Sequence, residues 1–222
     1  MSNQPTADPL SLLRKAYLDA LRNGSGRQAD QIVEQGLEQK LTVNQLYLDV
    51  FQPTAYEIGN LWQRNQVTVA QEHLATAIIE RQMGQLRSYF HPKRLRNRTL
   101  VLGSIAKEQH RVGVQMVADF FEQDGWTVYY LGSTTPVKDF VGMASEVKAD
   151  MIGVSVQMIY HLPQVLELIQ ELDRRGMGGL PVIAGGQPFI HQPDLYRSMN
   201  LHFSAANAAA AVEQADRLFE EA

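Results

Sequence analysis

Two hydrophobic rhythms divide the chain. From Pro9 to about Tyr89 the segments PLSLLRKAYLDAL, RQADQIVEQGLEQ, TVNQLYLDVFQPTAYEIGNLWQRN and VAQEHLATAIIERQMGQLRSYF place apolar residues at i, i+3 and i+4, the spacing that gathers them on one helix face. Four such segments with short connections predict a four-helix bundle. Pro53 falls inside the third segment, where its missing N–H and its ring against the preceding turn predict a kink or break. After HPKRLRN the rhythm changes to short β-branched runs, TLVLGSI, TVYYLG, MIGVSVQ, PVIAGG and a weaker LHFS. Amphipathic helices separate these runs, which predicts a parallel sheet covered on both faces. The expected organisation is a helical bundle cap over residues 1–95 followed by a five-stranded α/β domain over residues 96–222.

Composition narrows the function classes. The chain has 222 residues, 45% of them hydrophobic, which is ample for a buried core. A formal charge of −4 and a pI near 5.9 argue against a nucleic-acid-binding surface spread over the chain, because phosphate binding needs concentrated Lys and Arg. The one basic cluster, HPKRLRNR, reads as a solvated linker rather than a phosphate-binding patch. Cysteine is absent, so there is no disulfide framework, thiolate nucleophile or thiolate-bound metal, and any metal ligand is His, Asp or Glu. The N-terminal MSNQPTADPL lacks the basic and apolar regions of a signal peptide. No run approaches the ~20 apolar residues of a membrane span. The expectation is a cytoplasmic protein with no membrane partner.

In open parallel sheets ligands bind beyond the carboxyl ends of the strands, where strand order reverses. For a flavodoxin-like (Rossmann-like) order that crevice lies between the first and third strands. AKEQHRVG and SVQMIYH follow those strands, which predicts His110 and Ser155 on opposite walls of one crevice. Gly185 and Gly186, after the fourth strand, allow a ligand to approach the backbone closely. A nucleotide site is not supported, since the first strand-to-helix turn carries neither G-x-G-x-x-G nor G-x-x-x-x-G-K-[ST]. A phosphorylated receiver domain would need an acidic residue where this chain has Ser155.

ExHxxG, formed by Glu108, His110 and Gly113, then Ser155, then Gly185-Gly186, closely resembles the cobalamin-binding signature DxHxxG, SxL, GG. Spacings and strand-end positions match. Glu108 replaces the usual Asp, and Gln157 replaces the Leu of SxL. The resemblance implies that His110 is the lower axial ligand of cobalt and that Glu108 holds the other imidazole N–H, fixing its tautomer. It implies a hydrogen bond from Ser155 to the buried nucleotide tail, and room for that tail at Gly185 and Gly186. His161, near the end of the third strand, is open as a further member of the Glu108 network. With Tyr160 it is equally open as a contact for a second chromophore such as a bilin.

The resemblance extends upstream, because a four-helix cap precedes this domain in methyl-carrying corrinoid proteins and in CarH-type adenosylcobalamin light sensors. Trp62 followed by Glu72-His73 in NLWQRNQVTVAQEHLATA looks like the light-sensor pattern. On that resemblance Trp62 shields an adenosyl group above the corrin, Glu72 accepts hydrogen bonds from it, and His73 takes the upper axial position on cobalt after light. The expected function is a cobalamin-based light sensor that signals through assembly into a homo-oligomer or through a separate regulator of transcription. The alternative is a corrinoid protein that carries methyl groups between methyltransferases. Adenosylcobalamin is the expected cofactor for the first and methylcobalamin for the second. The DNA-binding sensors carry a helix-turn-helix domain before the cap, and few residues precede the first helix here. With an acidic net charge, the 222-residue chain is therefore expected to give no sequence-specific band in a gel-shift titration against duplex DNA at physiological salt.

Overall fold

The computed structural model describes residues 8–92, 95–105 and 107–220. The chain divides into two compact units, Met1–Phe90 and His91–Ala222.

The first unit is the four-helix bundle. Its elements are α1 (Pro9–Arg22), α2 (Gly26–Glu38), α3 (Val43–Gln45), α4 (Gln52–Gln63) and α5 (Val69–Leu86). Side chains before the helices satisfy their first N–H groups. Asp8 and Ser25 cap α1 and α2, while Thr42 and Thr68 form capping boxes with Gln45 and Gln71. The segment containing Pro53 is not broken. A π-helical stretch, Leu46–Phe51, joins α3 to α4, and the N–H of Gln52 reaches the Tyr47 carbonyl. Pro53 follows this wider stretch directly, in the first turn of α4.

Tyr17, Tyr47 and Phe51 are fully buried in this bundle. Tyr17 stacks on Phe51 at 5.2 Å between ring centroids, and Tyr47 lies tilted against Phe51 at 5.6 Å. A polar thread crosses the same core. The Tyr17 hydroxyl donates to Gln82 Oε1, and Gln82 Nε2 donates to Asp30 Oδ1 at 3.0 Å, which Arg81 also meets at 2.8 Å. Burial, reinforced by Asp30, pushes the Tyr17 phenol far above its ordinary pKa, so it stays a neutral donor.

The second unit holds strands β1 (Thr99–Ser104), β2 (Thr127–Tyr130), β3 (Met151–Ser155), β4 (Val182–Gly185) and β5 (Phe203–Ala205). The sheet order is β2-β1-β3-β4-β5 and every pairing is parallel, the flavodoxin-like arrangement. Its helices are α6 (Val112–Gln123), α7 (Val137–Glu146), α8 (Leu162–Arg174), the short α9 (Gln187–His191) and α10 (Leu195–Ser198), and α11 (Ala208–Glu220). Alternate residues of one strand serve opposite faces. Val101 joins Phe140, Val141 and Leu168 under α7 and α8, while Leu100 and Leu102 join Val114, Phe121 and Ala215 under α6 and α11.

The basic cluster is not a solvated linker throughout. Arg96 is largely buried and pairs with Asp124 at 2.7 Å and Asp216 at 2.6 Å, and the Arg98 guanidinium lies 4.0 Å from the Phe219 ring centroid. Lys93 and Arg94 lie outside the described residues. Among the described residues no helix is long and apolar enough to cross a membrane.

Beyond β4 the backbone turns at Gly186 with φ +106° and ψ 178°, a region that glycine alone occupies at low cost. A Cβ there would stand 1.9 Å from the Val156 carbonyl oxygen, so two loops beside the crevice approach because this residue has no side chain.

Two stability predictions follow from these contacts. Tyr17→Phe leaves Gln82 Oε1 buried without its donor and is expected to cost roughly 1–3 kcal/mol in chemical denaturation of the full chain. Gly186→Ala combines a forbidden backbone conformation with the Val156 contact and is expected to cost at least about 1–3 kcal/mol by the same measurement.

Candidate functional site

The crevice predicted between β1 and β3 is organised around one carboxylate. Glu108, in the loop after β1, is only 1% exposed, and donors reach both of its oxygens. Oε1 accepts from the His110 backbone N–H at 3.2 Å and meets His110 Nδ1 at 2.5 Å. Oε2 accepts from the backbone N–H groups of Gln157 at 2.8 Å and Met158 at 3.1 Å, and meets His161 Nδ1 at 3.0 Å. Burial pushes the Glu108 carboxyl up, but hydrogen bonds from His110, His161 and the Gln157 backbone outweigh it, so its pKa is about 2.

An ionised carboxylate only accepts, so the ring nitrogens facing it carry their protons. In neutral His110 the proton is therefore on Nδ1 and the acceptor lone pair on Nε2. The ring is about half exposed, at 49%. Behind it, the Ser104 hydroxyl donates to the His110 carbonyl at 2.9 Å. The loop is thus tied to the end of β1, and the imidazole is aimed outward from a fixed base.

Sheet register brings the remaining candidates of this unit to the same edge. Ser155 pairs with Ser104 on one side and Gly185 on the other. Gly113 lies in the first turn of α6, and a Cβ added there would meet nothing within 4 Å. At Gly185 an added Cβ would meet only the Ala205 carbonyl at 3.7 Å, an ordinary contact. Sequence reasoning singled out Glu108, His110, Gly113, Ser155, Gly185 and Gly186, and left His161 open. It missed Ser104 and the two backbone donors, which no side chain at positions 157 and 158 announces. Ser104 could have been found from its place at the end of β1, in register with Ser155.

The cap candidates belong to the helical unit. Trp62 lies near the end of α4 and is 38% exposed. Glu72 is in the first turn of α5, accepts from the Thr76 hydroxyl at 3.1 Å, and faces the exposed His73 ring at 3.6 Å.

This donor set fits a corrin. A corrin brings four equatorial nitrogens of its own, so the protein need supply only an axial ligand, and a neutral imidazole with its Nδ1–H held by a carboxylate is suited to that. The open space at Gly113 and the side-chain-free backbone at Gly185 and Gly186 suit an occupant that needs room next to the strand ends.

Comparison with known proteins supports cobalamin as the cofactor and corrects one expectation. A dimethylamine corrinoid protein of Methanosarcina acetivorans is 34% identical over 90 residues, 40% of this chain and 42% of that protein. The chain thus spans less than half the length of this relative. The HTH-type transcriptional repressor CarH of Myxococcus xanthus is 28% identical over 139 residues, 62% of this chain and 46% of that protein. The structure of the Methanosarcina barkeri monomethylamine corrinoid protein matches with a TM-score of 0.80 at 16% identity, covering 96% of this chain and 99% of that one. At that identity the likeness shows the fold alone. The light-sensor expectation is overturned, because the dimethylamine corrinoid protein matches at higher identity than CarH, 34% against 28%. The Glu72-His73 pair that suggested it also has a local explanation: an acidic residue belongs near the positive end of a helix, and Glu72 is in the first turn of α5 with His73 exposed beside it. A B12 binding domain model matches residues 98–214, and a second matches residues 13–87. The chain belongs to the B12-binding domain family, with cobalamin as its cofactor.

Proposed function

We propose that the chain is a corrinoid protein that receives a methyl group from one methyltransferase and presents it to another, in a system that uses a methylated amine. The observation that carries this reading is the His110 imidazole, its Nδ1–H held by the buried Glu108 carboxylate, in a chain that resembles dimethylamine corrinoid proteins. Cobalamin, when bound, supplies a cobalt that accepts a methyl group and yields it to a nucleophile.

The residues of this chain have separate tasks in that scheme. His110 Nε2 would hold the cobalt, and Glu108 would keep the ring in the tautomer that leaves this nitrogen basic. Ser155 donates to the nucleotide tail, for which Gly185 and Gly186 leave room, and Gly113 keeps the start of α6 clear. The working division is a helical cap over residues 1–95 and a cobalamin-binding domain over residues 96–222. Methylcobalamin, rather than adenosylcobalamin, is the working form, and the partners are methyltransferases.

The test uses the full chain loaded with cobalamin, reduced, and incubated with a methylamine methyltransferase and carbon-14-labelled dimethylamine. Label is expected on the protein-bound cofactor, with the visible spectrum of histidine-bound methylcobalamin. His110→Ala is expected to fold normally by circular dichroism and to lose the histidine-bound spectrum. Failure of wild type to take label from dimethylamine, monomethylamine or trimethylamine with their methyltransferases would contradict the proposal.

A further inference from the structure

His161 is not part of the matched signature, yet it is built into the site. It ends the 3₁₀ turn Ile159–His161 that leads into α8. Its turn-mates Ile159 and Tyr160 are exposed, at 65% and 63%, whereas His161 is 7% exposed. Its backbone N–H donates to the Met158 carbonyl at 2.9 Å, and the Tyr160 ring lies edge-on at 4.5 Å. The turn thus directs an imidazole inward, to Glu108 Oε2 at 3.0 Å.

We infer that His161 is a positioning residue for His110: by donating to the far oxygen of Glu108, it sets how strongly the near oxygen holds His110 Nδ1–H. The inference rests on His110 being the axial ligand proposed above. Its basis is a count of donors. His110 N and Nδ1, Gln157 N, Met158 N and His161 Nδ1 converge on one carboxylate, which offers about four lone-pair sites. The donors therefore compete for the same charge.

Loss of His161 would not release the carboxylate, because the N–H groups of Gln157 and Met158 still hold Oε2. Geometry persists and electron distribution changes. With one donor fewer on Oε2, more charge rests on Oε1, the His110 Nδ1–H bond strengthens, and Nε2 becomes a stronger donor. His161 thus moderates the axial ligand. A stronger axial donor favours Co(II) over Co(I), the form that needs no ligand from below, so the position of His161 bears on how readily the cofactor is reduced.

Two variants separate the hydrogen bond from packing. His161→Phe keeps an aromatic ring beside Tyr160 and removes the donor, whereas His161→Asn keeps an N–H donor near the Nδ1 position and removes the ring. In the cofactor-free protein, proton–nitrogen NMR of labelled histidine is expected to show the His110 Nδ1 proton moving downfield in His161→Phe and staying near its wild-type position in His161→Asn. In the cobalamin-loaded protein the Co(II)/Co(I) midpoint is expected to shift negative in His161→Phe and to return toward wild type in His161→Asn. Equal shifts in both variants, no shift in either, or a shift in His161→Asn alone would overturn the inference, because in none of these does the effect follow the His161 hydrogen bond. The two readings fail separately. If His110→Ala leaves the midpoint and spectrum of the loaded protein unchanged, axial ligation by His110 is wrong whatever the NMR shows. If His110→Ala changes both and the His161 variants change neither the proton position nor the midpoint, only the role of His161 is wrong.

Discussion

The Glu108 carboxylate is a negative charge at 1% exposure, and a charge so placed persists only where protein donors replace its lost hydration. That requirement shapes everything around it. It draws the Gln157 and Met158 amides inward from the end of β3, calls for the His161 proton on the ring nitrogen that faces it, and accepts a hydrogen bond from His110 Nδ1–H. The two loops that form the crevice are joined through one side chain. An aspartate at this position would reach one methylene less far, so glutamate suits a site whose donors come from both loops.

The fold makes this bridge available. In the order β2-β1-β3-β4-β5 the chain leaves β1 toward one edge of the sheet and returns to place β3 beside it, so the carboxyl ends of β1 and β3 are neighbours without a helix between them. In register, Ser104, Ser155 and Gly185 form a row across three strands. Gly186 completes the edge by letting the β4 loop approach the Val156 carbonyl. Below this edge the sheet is packed on both faces, which gives the polar row a rigid base.

Much of this was legible in the chain because the signals are local. The β-branched runs coincide with all five strands, and even the weak LHFS overlaps β5 at Phe203 and Ser204. The Glu108–His110 contact spans two positions, and a two-residue spacing carries it directly. His161 was harder, because its partner is remote in sequence and its inward aim depends on a 3₁₀ turn that leaves Tyr160 outside. The Gln157 and Met158 donors are main-chain groups, to which side-chain identity is silent. Pro53 was expected to kink or break its segment, whereas the helix continues through it, directly after a π-helical stretch. The light-sensor expectation went astray for a related reason: Trp62, Glu72 and His73 have a spacing that resembles one family, while the match at higher identity is to another.

The central claim is that the histidine held by Glu108 is the protein's bond to cobalt. Electron paramagnetic resonance of the wild-type Co(II) form tests it most directly, comparing protein labelled with nitrogen-15 only in histidine against unlabelled protein. Each line split into three by an axial nitrogen-14 nucleus is expected to become a line split into two in the labelled protein. Three-line splitting that persists with labelled histidine would place the cofactor's own base on the metal and contradict the account.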